Sequence, residues 1–109
     1  MKDGKKLQDI LVSVQMIENY SVTSFEEFPD DSKTQDAILY NLIIIGEAAN
    51  QISEQLKEKY PEVPWSSMIG TRNIMFHGYD QVKLQIVWEI LQHDLSALKS
   101  QIDSIVTGI

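Results

Sequence analysis

From Ser32 to Tyr60 the chain contains no proline and a single glycine, Gly46. Ile38, Leu42, Ile45, Ala49, Ile52 and Leu56 recur along it at three- and four-residue intervals, the period of one face of an α-helix. Asp30, Asp31 and Ser32 supply helix-starting side chains, and Gln35, three after Ser32, completes a capping box. The stretch predicts one helix of roughly 28 residues, about 42 Å long at about 1.5 Å per residue. Ile43 and Ile44 fall off the stripe, so the middle of this helix is apolar nearly all round and must be covered on more than one side. The other helices of a small bundle and a second subunit are equally good covers. Gly46, with Ala48 and Ala49 beside it, lets another helix approach closely.

The rest of the chain reads as helices around that one. Leu7, Ile10, Leu11, Val14 and Ile17 predict an amphipathic helix over roughly 3–20. Ser24-Phe25-Glu26-Glu27 is a capping-box pattern opening a short turn of helix, which Pro29 ends. Pro61 and Pro64 bracket a turn, and Trp65 to about Phe76 forms a short helix. Asp80 is a cap for the last helix, about 82–106, where Leu84, Val87, Leu91, Leu95, Leu98, Ile102 and Ile105 make a heptad-like stripe. No alternating strand pattern occurs. The expectation is one domain over 1–109, an all-α antiparallel helical bundle with a short inserted helix.

Composition narrows the function classes. A chain that is 43% hydrophobic, with 5 glycines and 3 prolines, is not disordered. It has no cysteine, hence no disulfide framework and no thiolate metal site, which fits a reducing compartment. No signal peptide pattern is present, and the longest apolar run, Leu42 to Ile45, is far too short to span a bilayer. A cytoplasmic location without a membrane partner is expected. Two histidines sixteen apart make no zinc site, and no Gly-rich phosphate loop exists, so neither a metal nor another cofactor is expected. The net charge of −7 argues against broad, non-specific nucleic-acid binding. Any nucleic-acid chemistry needs a local positive site on an acidic body.

One stretch supplies such a site. Arg72-Asn73-Ile74-Met75-Phe76-His77-Gly78-Tyr79 contains the only arginine of the chain and one of its two histidines. It reads as the last turns of a helix stopped at Gly78. Asn73 and His77 are four apart and share a helix face. On an ideal helix Arg72 and His77 lie roughly 140° apart in azimuth and about 7.5 Å apart in rise, a gap that the arginine stem can close if the helix loosens at Gly78. A guanidinium and an imidazole then face one small anionic group. The plainer reading is also open: an Arg and a His near a helix C-terminus suit its dipole, and a Tyr after a Gly often plugs a core. Glu47, in the apolar middle of the long helix, either forms an ordinary salt bridge or pairs with Arg72 and orients it. His93 beside Asp94 lies opposite the apolar stripe and reads as solvated; Trp65 and Trp88 read as packing residues. Ser66 and Ser67 lie near His77 in sequence, but no nucleophile elbow surrounds them.

Metal-free chemistry for an Arg and a His is phosphodiester cleavage in RNA. The 2′-hydroxyl is the nucleophile and comes with the substrate. Histidine can move protons near neutral pH, and arginine offers a fixed, two-pronged cation for phosphate oxygens.

Arg72 to Tyr79 is an R-x-x-x-x-H-x-Y sequence. Around it stand Thr34-Gln35-Asp36-Ala37, Asn41-Leu42, Ile44-Ile45-Gly46-Glu47-Ala48-Ala49, Pro64-Trp65 and Ile86-Val87-Trp88-Glu89-Ile90. From about Leu7 to Ile105 the chain resembles the HepT-like branch of the HEPN superfamily, the toxin half of type VII (HepT/MntA) toxin–antitoxin modules. The resemblance implies an all-α bundle that forms a homodimer, with metal-independent cleavage of RNA in a cleft shared by the two subunits. By that resemblance Arg72 and His77 are the catalytic pair and Asn73 supports them. It also implies a partner, a cognate MntA-like nucleotidyltransferase antitoxin that adds AMP to Tyr79. HEPN folds serve as non-catalytic binding modules as well, so the resemblance leaves a protein- or nucleotide-binding helical dimer as the alternative.

Overall fold

The computed structural model describes residues 2–20, 32–77 and 89–108, with backbone alone at 32, 74–77 and 91–92. The described residues form helices and turns, with no strand among them, in the expected all-α bundle. Helix α1 spans Lys2–Asn19 and buries Leu7, Ile10, Val14 and Ile17, the stripe read from the sequence. Helix α2 spans Ser32–Gln51 and packs against α1 on one side and helix α4, Trp65–His77, on another. The start of α1 meets the end of α2, where Asp3 touches Ser53, so the two run antiparallel. Helix α5, Leu95–Gly108, also packs on α1, with Lys99 2.9 Å from Glu18 near the opposite end of α1.

The long helix expected to reach Tyr60 stops at Gln51. Ile52 is still buried, at 3% exposure, but Ser53 turns extended (φ −62°, ψ 147°) and caps a separate short helix, α3, Glu54–Lys59. Its hydroxyl accepts from the Leu56 N–H at 3.2 Å. The Ser53 N–H and hydroxyl in turn donate to the two oxygens of Asp3 at 3.0 and 2.6 Å. A serine cap and a carboxylate from fifty residues away compensate for the interrupted backbone ladder. The apolar period could not reveal the break because Ile52 and Leu56 keep their phase across it.

This junction is sensitive to acid. The bonds from the Ser53 hydroxyl, and then from its backbone N–H, hold the Asp3 carboxyl below its ordinary value of 3.8. A depressed folded-state pKa gives stability that is present above the unfolded value and lost as pH falls through the folded one. Asp3→Asn is therefore expected to cost about 1 kcal/mol at neutral pH. Urea unfolding should show that gap closing below about pH 4. A gap unchanged between pH 7 and pH 3 would mean that the carboxylate charge is not its source.

The Pro61–Pro64 turn is closed by the Trp65 indole N–H, which donates to the Tyr60 carbonyl at 3.0 Å, and Trp65 itself is buried. Trp65 is thus a packing residue, as read; Trp88 lies outside the described residues, as do the 24–27 turn, Pro29 and the Asp80 cap. The described part of the last helix opens with a π-helical turn, Ile90–Asp94, before α5 continues and buries Leu95, Leu98, Ile102 and Ile105.

Candidate active site

Helices α2 and α4 cross in near contact at Gly46. A Cβ built on Gly46 would lie 2.7 Å from the Met68 carbonyl oxygen and would run into the Cβ of Arg72. Only hydrogen at Gly46 allows α4 to come this close, so the arginine stem leaves α4 directly over the glycine of α2. The next residue of α2 is Glu47, and its Oε1 accepts from Arg72 Nη1. From the other side the Asn73 Oδ1 accepts from Arg72 Nε at 3.1 Å and from Nη2 at 2.7 Å. All three guanidinium nitrogens are therefore tied, and the plane of the cation is set by one residue of each helix.

The side chain of Arg72 is 18% exposed and that of Glu47 is 38% exposed. Glu47 pairs with Arg72, the sharper of its two readings, but at the rim of the bundle and not inside it. Water screens such a pair, so its stability contribution is about 1 kcal/mol or less, well below the cost of breaking a buried pair. Its main effect is orientation.

His77 is the last residue of α4, one turn and one residue past Arg72. Its side chain and Tyr79 lie outside the described residues. Ser66 and Ser67 are exposed at the start of α4. His93 is 71% exposed with its Nε2 3.7 Å from Glu89 Oε2, the solvated histidine that its position implied. Among the described residues no group of three or more His, Asp or Glu side chains stands close enough to hold a metal ion.

The arrangement presents an oriented cation on the helix that ends in a histidine. A guanidinium held in one plane suits an anion that offers two adjacent oxygens, such as a carboxylate or a phosphodiester. Two contributors were not legible beforehand. The sequence marked Gly46 as a place of close approach, but not that Arg72 is what approaches it. Asp3 carried no signal at all, since its partner is Ser53; the serine followed by Glu54 was the only local hint of a cap.

Comparison with known proteins places the chain among ribonuclease-like sequences. The profile of the family described as "Ribonuclease HepT-like" matches residues 10–105. A Thermococcus cleftensis protein named "Probable ribonuclease HepT" is 34% identical over 100 residues, 91% of each chain. A Methanocaldococcus jannaschii protein named "Putative RNase MJ1380" is 35% identical over 98 residues, 89% of this chain and 90% of its own. One from Caldanaerobacter subterraneus named "Putative RNase TTE0752" is 33% identical over 91 residues, 84% of this chain and 81% of its own. No solved structure gives a significant match.

Proposed function

The chain belongs to the ribonuclease HepT-like family, and on that premise we propose that it is a metal-independent endoribonuclease with Arg72 and His77 as its catalytic pair. The observation that carries this reading is the oriented guanidinium. The single arginine of an acidic chain is held by Glu47 and Asn73 on the helix that ends in His77.

In this reading the substrate phosphate sits against Arg72. Deprotonation of the 2′-hydroxyl by His77 lets that oxygen attack phosphorus. The bond to the 5′-oxygen breaks, the leaving oxygen takes up a proton, and a 2′,3′-cyclic phosphate remains. Arg72 stabilises the extra charge on the phosphorane, where a fixed cation needs no reorganisation. Base and acid are two roles, and a homodimer would bring a second His77 to supply the other. The outer side of α2 supports a second copy there: Tyr40 is 64% exposed, and Ile43 and Ile44 are only half buried. We place this activity in the cytoplasm as the toxin of a toxin–antitoxin pair; no helix among the described residues is long and apolar enough to cross a membrane. The test is cleavage of total cellular RNA by the purified protein in EDTA. Cleavage should persist there, and its loss in EDTA would overturn the metal-independent mechanism.

Control follows from the same chemistry. Tyr79 stands two residues after His77, beyond Gly78. An AMP group on its hydroxyl, added by a MntA-like nucleotidyltransferase with loss of pyrophosphate from ATP, would bring a phosphodiester anion to compete for Arg72. Native mass spectrometry reads both proposals in one measurement. The protein alone should appear at twice the chain mass. After incubation with the nucleotidyltransferase and ATP, each chain should gain one or more AMP units, and Tyr79→Phe should gain none. A monomer at micromolar concentration refutes the dimer, and a gain that persists in Tyr79→Phe refutes the modification site.

A further inference from the structure

A groove of about 330 Å³ opens between α4 and the last helix, floored by α2. That volume is at the low end for small-molecule sites, about 300–1,000 Å³, with room for one nucleoside and not for an oligonucleotide. Its floor is Leu42, Ile45, Met68, Leu95 and Leu98, each no more than 7% exposed. Among the described residues the charged ones that line it are Glu62 and Asp94, both carboxylates, so a phosphate is repelled from it. An occupant therefore brings an apolar, flat face and hydrogen-bond donors, and keeps its own negative charge outside.

Two further observations tie the groove to the site. Met68 and Thr71 line it, while the carbonyl of Met68 covers Gly46 and Thr71 directly precedes Arg72. The groove thus shares helix α4 with Arg72, although Arg72 itself does not line it. Second, the opposite wall is where the last helix runs as a π turn, Ile90–Asp94, closed by the Leu95 N–H on the Ile90 carbonyl. Such turns cost helix regularity and recur at functional sites; here the turn sets Ile90 and Asp94 into the groove. The rim is internally bonded, with Thr71 Oγ1 donating to the Ser67 carbonyl at 2.9 Å and Gln101 Nε2 to the Glu62 carbonyl at 3.1 Å.

We propose that this groove is a subsite for one unstacked nucleobase carrying an exocyclic amino group, from the RNA whose phosphate lies at Arg72. The base lies on the apolar floor, its amino group donates to the Asp94 carboxylate, and the sugar–phosphate stays at the mouth beside α4. The assignment rests on the ribonuclease reading for its biological ligand, but the groove can be tested without turnover.

The experiment is a two-dimensional NMR titration of the full chain, methyl-labelled at Ile, Leu and Met, with adenosine, cytidine and uridine. Adenosine and cytidine should shift the Ile45, Met68 and Leu98 methyls, and uridine should bind at least about tenfold more weakly. Ser67→Trp places an indole over the mouth from an exposed position and should abolish the shifts. Asp94→Asn, which can donate to a uracil carbonyl, should bring uridine within about threefold of cytidine. On RNA, Ser67→Trp should lower kcat/KM by about tenfold. Absence of shifts at these methyls with every nucleoside, or shifts that survive in Ser67→Trp, overturns the subsite. Equal shifts with uridine overturn the preference for amino-bearing bases. Because nucleosides are not cleaved, failure of the ribonuclease reading would show instead as intact RNA in the cleavage assay.

Discussion

Cleavage of RNA by Arg72→Ala and by His77→Ala should each fall by at least about a hundredfold relative to wild type. For the histidine, positioned proton transfer contributes about 10²–10⁴ in rate. For the arginine, one preorganised charge-stabilising donor at the transition state contributes about 10²–10³. The loss should be in kcat, measured by single-turnover cleavage of a labelled RNA in EDTA, because the charge that Arg72 neutralises develops only as the phosphorane forms. Arg72→Lys should lie nearer to Ala than to wild type. An ammonium keeps the charge but cannot accept the two-sided grip of Glu47 and Asn73 on one planar group. Glu47→Gln should retain most of the stability, since the carboxylate is 38% exposed, yet lose activity as the guanidinium loses its charged partner. Any Arg72→Ala or His77→Ala variant that cleaves within about threefold of wild type sinks the assignment.

Replacement of Gly46 by alanine should destabilise the protein, against the usual direction. In a helix interior Gly→Ala normally gains about 1 kcal/mol from backbone entropy. At Gly46 the new methyl meets a carbonyl oxygen at 2.7 Å and the root of the Arg72 side chain. Neither can rotate away, so α4 must shift off α2, at a cost of about 1–3 kcal/mol. The net loss should be about 1 kcal/mol, a fall of several degrees in Tm for a domain of this size. Activity should drop about tenfold or more, since the same shift carries Arg72 away from Glu47. Gly70 is the internal control. It lies in the same helix as Arg72, and a Cβ there meets nothing within 4 Å among the described residues, so Gly70→Ala should raise Tm. Thermal unfolding of the two variants side by side decides the matter: a Gly46→Ala protein at least as stable as wild type would mean that the helix crossing is looser than described.

The polar stretch around Arg72 was legible because chemistry-bearing residues were concentrated in an otherwise plain sequence. One arginine, one histidine, an amide and a phenol fall within eight residues of a chain whose other cations are lysines. The pairing of Arg72 with Glu47 was only one of two open readings. Twenty-five residues separate the two, and no periodicity relates α2 to α4. The break at Ser53 went unread for a related reason. Local capping residues are common inside helices, and Ser53 becomes a terminus because Asp3 takes up its N–H and hydroxyl from another helix.

What the sequence alone determined is the helical class and the apolar faces of α1, α2 and α5, which follow from local physics, the 3.6-residue period of burial. Arg72 and His77 stand as a candidate catalytic pair through the family resemblance. Tertiary structure decided how closely α2 and α4 approach, which carboxylate meets the arginine, where the long helix is cut, and that a groove bearing Glu62 and Asp94 opens between α4 and the last helix. Each of these depends on atoms brought together from distant parts of the chain. Sequence periodicity shows which face of a helix is buried, but the depth and register of that burial are fixed by the neighbour, and here by the missing side chain of Gly46.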